Sequence, residues 1–135
     1  MNIAVLVSGG GTNLQALIDF EKQNEACPYK IVVVMSDHKD AYAIERAKNA
    51  NIPVELVSPY AVMGAEVAKA ASREEKRNAV SDKVLEYCKK YNVDAVVNAA
   101  GVAVFNDFTD DSIDAEAHRE IDINYFGVWN SCRAA

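Results

Sequence analysis

The chain has 135 residues, half of them hydrophobic and a quarter charged, with a formal net charge of −6. That length suits one domain with a single core. The acidic balance argues against a nucleic-acid backbone as partner, and no apolar run reaches the ~18 residues of a membrane span. The start Met1-Asn2-Ile3-Ala4-Val5 lacks the basic segment and cleavage site of a secretory signal, so a cytoplasmic location is expected. Cys27, Cys88 and Cys132 are widely spaced and read as reduced thiols. His38 and His118 stand alone, so no metal and no cofactor is expected.

In chain order, Ile3 to Val7 is a short apolar run that reads as a strand buried on both faces. Thr12 begins a helix, with Gln15 at capping-box spacing and Leu14, Leu17 and Ile18 as its inner stripe. Ile31 to Met35 is a β-branched second strand. Asp40 is placed to cap a second helix whose Ile44 and Ala47 face inward. Pro53 to Val57 reads as a third strand, and its leading proline suits a sheet edge. Ser58 to Ala71 reads as a loop with one helical turn. Ser72 and Glu75 form a capping box for a helix ending near Lys90, with Val80, Val84, Cys88 and Tyr91 as its stripe. Ala95 to Asn98 is a fourth strand and Gly101 to Asp111 a loop. Ile113, Ala117, Ile121, Tyr125, Val128 and Cys132 mark a last long helix.

Alternating strands and helices predict an α/β fold: a Rossmann-like three-layer α/β/α half-domain. Its parallel sheet has four strands in the order 3-2-1-4. The whole chain is expected to form one domain. The last helix carries a second apolar group, Ile123, Phe126 and Trp129, and a homodimer through that helix is expected, with the edge of the fourth strand as the other candidate.

The chemistry concentrates at Gly9, Gly10, Gly11, Thr12 and Asn13, between the first strand and the first helix. Glycines admit a ligand close to the backbone, and the free N–H groups of a helix start favour an anion. A phosphate or nucleotide is the expected ligand. The stretch is neither a G-x-G-x-x-G fingerprint, because position 14 is Leu14, nor a P-loop. Asp37, after the second strand, lies too far from Gly9 for the usual ribose-binding acid and reads as a solvated loop acid.

The run Met1 to Ile18, including Ser8-Gly9-Gly10-Gly11-Thr12-Asn13, resembles the start of glycinamide ribonucleotide formyltransferases. Ser36-Asp37-His38-Lys39-Asp40-Ala41, Ile44-Glu45-Arg46-Ala47 and Lys89 to Val97 continue the likeness. The resemblance implies that Gly11, Thr12 and Asn13 belong to the loop for the substrate phosphate. It also implies an Asn, a His in an Ile-His-Pro-Ser-like stretch and a later Asp, none of which the sequence supplies in that pattern.

Asn98-Ala99-Ala100-Gly101 and Asp122-Ile123-Asn124-Tyr125-Phe126-Gly127 are similar to elements of short-chain dehydrogenases/reductases. There, Asn98 would steady the sheet and Asn124 would support a proton relay. The Tyr-x-x-x-Lys pair of that family is absent. The two likenesses, to about residue 97 and from about residue 98, suggest a recombined or engineered chimera. Such a scaffold has no catalytic residues of its own and retains phosphate or nucleotide binding. The alternatives are a formyltransferase of purine biosynthesis acting on a phosphorylated ribonucleotide, and an NAD(P)-linked reductase fragment.

Overall fold

The computed structural model describes residues 1–100. The sheet forms from the runs richest in Ile and Val: β1 (Asn2–Val7), β2 (Lys30–Ser36), β3 (Val54–Leu56) and β4 (Ala95–Asn98). All pairings are parallel and the order is β3-β2-β1-β4, as expected from the alternation of elements. The helices are α1 (Thr12–Gln23), α2 (Tyr42–Asn49), α3 (Pro59–Met63), α4 (Ala65–Ala70) and α5 (Arg73–Lys90).

Alternation along the central strands splits the core in two. Ile3, Val5 and Val7 of β1 join Ile31 and Val34 of β2, Leu14 and Ile18 of α1, and Ala43 and Ala47 of α2. Ala4 and Leu6 join Val33 and Met35 of β2, Val57 just after β3, and Val84 of α5 on the other face. The outcome is helices on both sides of one sheet, a three-layer arrangement. In the β1–β2 register Val32 is skipped between Ile3 and Ala4, which keeps Val33 and Val34 on the proper faces. β4 pairs with β1 from Ile3↔Ala95 to Leu6↔Asn98, so the fourth strand does insert beside the first.

Local expectations divide. The Ser72–Glu75 capping box is present: Glu75 N–H donates to Ser72 Oγ at 3.1 Å and Ser72 N–H to Glu75 Oε2 at 2.6 Å. Thr12 does not cap α1. The cap is Gly11, in the left-handed region, with no side-chain bond. Asp40 does not cap α2 either; Ala41 holds that place, buried against the core. Residues 58–71 are more ordered than one turn, because Ser58 Oγ accepts from Ala61 N–H and Gly64 separates two short helices. Gly101, Asn124, the last helix with its expected dimer contact, Cys132 and His118 lie outside the described residues.

Candidate phosphate-binding loop

The sheet order reverses between β1 and β4, and the loop after β1 opens there. In open α/β sheets that switch point, at the carboxyl ends of the strands, is where ligands bind. Two features set the loop. Gly11 has φ +72°, a conformation favouring glycine. A Cβ there would lie 2.6 Å from Ala43 Cβ and 2.8 Å from Ala43 Cα, so helix α2 packs against the bare backbone. The glycine at 11 is therefore required by packing as well as by its dihedral, whereas a Cβ at Gly9 or Gly10 would meet nothing within 4 Å.

Every carbonyl of the three glycines is engaged. Gly9 O accepts from Ala43 N–H at 3.0 Å, Gly10 O from Arg46 Nε at 2.8 Å, and Gly11 O from Gln15 N–H at 2.9 Å. The N–H groups of Gly10, Gly11, Thr12 and Asn13 have no acceptor among the described residues. A peptide group carries its oxygen and its hydrogen on opposite sides. Drawing the oxygens into the protein therefore presents the hydrogens outward. Donors of this kind, ahead of the N-terminal end of a helix, suit an anion. Thr12 and Asn13 are exposed, so their side chains are free to join. Gly9, Gly10 and Gly11 lie in the loop, and Thr12 and Asn13 open α1 directly after it.

Asn98 is at the other lip, opposite Leu6 in the register. Its Oδ1 accepts from Ala100 N–H at 3.0 Å, and Ala99 N–H donates to Leu6 O at 2.9 Å. This is a side-chain-closed turn that finishes the strand. Asp37 contacts His38 Nδ1 at 2.8 Å on the exposed surface, while buried Ser36 donates to His38 O and accepts from His38 N–H. Among the described residues no group of three or more His, Cys, Asp or Glu is placed to hold a metal. No described helix is long and apolar enough to cross a membrane.

Sequence reasoning missed Arg46. It stands between Glu45 and Ala47 with no local sign of a role, and its partner Gly10 lies 36 residues away. Gln15 was expected to cap the helix. Instead, Gln15 Oε1 accepts from Arg46 Nη1 at 3.2 Å, and its Nε2 donates to Asp19 at 2.8 Å.

A parallel sheet of order 3-2-1-4 with helices on both faces and a glycine-rich loop after β1 defines a Rossmann-like α/β fold. The chain belongs to the formyl transferase family, whose model matches residues 1–119. It is 40% identical over 90 residues to phosphoribosylglycinamide formyltransferase of Saccharomyces cerevisiae, covering 62% of this chain and 42% of that protein. It is 53% identical over 51 residues to the Haemophilus influenzae protein of the same name, covering 38% of this chain and 24% of that one. Among solved structures, glycinamide ribonucleotide transformylase 1 from Symbiobacterium toebii superposes with a TM-score of 0.61 at 33% identity. That match covers 79% of this chain and 44% of the other. The chain thus spans under half the length of these relatives.

The family match does not support the expectation of a chimera joined near residue 97. It extends to residue 119, across the join expected near residue 97, and includes both Asn98 and Gly101. A change of family at the fourth strand is not supported, nor is a dehydrogenase-like segment.

Proposed function

We propose that this chain provides the phosphate-anchoring part of a formyltransferase of purine biosynthesis, acting on glycinamide ribonucleotide. The observation that carries this reading is the loop itself. Three consecutive glycine carbonyls are turned into protein contacts, and the following N–H groups are left for an anion. Gly9, Gly10, Gly11, Thr12 and Asn13 would hold the phosphate monoester, with the ribose extending along the crevice between β1 and β4. The names borne by its relatives favour the same substrate over a dinucleotide. The departure of the loop from the dinucleotide fingerprint at Leu14 agrees with that choice.

The test is a thermal-shift titration with inorganic phosphate, glycinamide ribonucleotide and NAD. A ligand at a hundred times its Kd stabilises by about 2.7 kcal/mol. Stabilisation is expected with the ribonucleotide and, more weakly, with phosphate, and Asn13→Ala should reduce both. Stabilisation by NAD alone, or by none of the three, would overturn the reading.

A further inference from the structure

A side chain from another helix reaches the glycine loop. Arg46 donates from Nε to Gly10 O at 2.8 Å and from Nη1 to Gln15 Oε1 at 3.2 Å. Its guanidinium lies 5.0 Å from the centroid of the Tyr42 ring, a third hold on its position. No carboxylate pairs with it among the described residues; neighbouring Glu45 pairs with Lys48 at 3.7 Å instead.

The peptide that Arg46 grips is the one joining Gly10 to Gly11. Its oxygen is the Gly10 carbonyl and its hydrogen is the Gly11 N–H, and the two point in opposite directions. The flanking peptides are pinned by backbone donors, Ala43 N–H on Gly9 O and Gln15 N–H on Gly11 O. Only the middle peptide is pinned by a side chain. A Cβ at Gly10 would meet nothing within 4 Å, so the hold on that carbonyl comes from Arg46. A rotated peptide would turn a carbonyl oxygen toward the anion and withdraw one donor.

We propose that Arg46 is a positioning residue for a phosphate monoester: by holding the Gly10 carbonyl it keeps the Gly11 N–H directed at the anion. The planar fork of arginine serves two acceptors on two elements at once, which a lysine ammonium does not reproduce. This rests on the phosphate-anchoring reading above.

The experiment follows backbone amide resonances of the full chain during titration with inorganic phosphate, and melting temperatures without phosphate. In Arg46→Met the affinity should fall about tenfold, the scale of one aligned hydrogen bond. The Gly11 amide should lose its phosphate-induced shift while Thr12 and Asn13 keep theirs. Arg46→Lys should restore only part of the affinity. If Arg46→Met fails to fold, Gln15→Met provides the second probe. It frees one end of the fork and should weaken phosphate binding in the same direction. A lower melting temperature with unchanged affinity and unchanged Gly11 shift, in either variant, would reduce Arg46 to a structural tie and overturn the proposal. Wild-type protein that ignores phosphate would instead remove the underlying function, so the two failures are separable.

Discussion

Gly11 and Ala43 are in backbone-to-side-chain contact with no room for a Cβ between them. The contact joins the site to the fold, because Gly11 caps α1 while Ala43 sits fully buried in the first turn of α2. Gly11→Ala must both keep a left-handed backbone and push α2 away. Each effect costs about 1–2 kcal/mol or more, so a loss of roughly 2–4 kcal/mol is expected in urea unfolding. Gly10→Ala, with open space around its Cβ, should stay within about 0.5–1 kcal/mol of wild type. Equal losses at the two positions would show that packing against Ala43 does not set the loop.

A second relationship links the edge strand to the end of α5. Lys90 Nζ and Tyr91 Oη both donate to Glu55 Oε1, each at 2.7 Å. Burial pushes the Glu55 carboxyl up, but the bonds from Lys90 and Tyr91, with the Lys90 charge, outweigh it and hold the group below its ordinary value of 4.5. A depressed folded-state pKa stabilises fully above the unfolded value, and that contribution is lost as pH falls through the folded one. Wild type should therefore exceed Glu55→Gln in urea midpoint at about pH 6, and the gap should close toward about pH 3. A gap that is constant across that range would mean the carboxylate charge contributes nothing here.

The sheet was legible because its signal is local. Ile31 to Met35 and Ile3 to Val7 are uninterrupted apolar runs, and the intervening helices leave a parallel order as the simple solution. The Ser72–Glu75 box was legible for the same reason, since both partners lie within one turn. The cap of α1 was not. Gly11 takes it in place of Thr12, and its left-handed backbone sits against Ala43, a contact 32 residues away that no local pattern encodes. Arg46 was hidden likewise, its acceptors being distant Gly10 and Gln15. The dehydrogenase-like reading of Asn98-Ala99-Ala100-Gly101 is not supported, for a different reason. An Asn whose amide closes a turn onto the residue two ahead is a general way to end a strand, so those letters do not mark one family.

Cys88 tests the second core. It packs beside Val84 and Tyr87 under the sheet, and burial pushes its thiol above the ordinary value. The thiolate is the reactive form. Alkylation by iodoacetamide at about pH 8 should therefore be roughly tenfold slower in the folded protein than in urea, read at Cys88 by peptide mapping. Equal rates in both states would mean that the partial cover of Cys88 gives its thiol no protection.

Leu14 couples the first core to the phosphate loop. It is fully buried against Ile3, Val5 and Ile18, one residue after Asn13, and so fixes where the start of α1 lies relative to β1. Leu14→Ala leaves a cavity there and should cost about 2–5 kcal/mol in urea unfolding. The same cavity loosens the turn proposed to anchor the phosphate, so phosphate affinity should fall in the protein that remains folded. Leu17→Ala is the control, on the same helix but only partly buried and a turn further from the loop. It should lower stability less and leave phosphate affinity unchanged. If both variants weaken phosphate binding equally at matched stability, the site depends on the helix as a whole and not on how Leu14 seats its first turn.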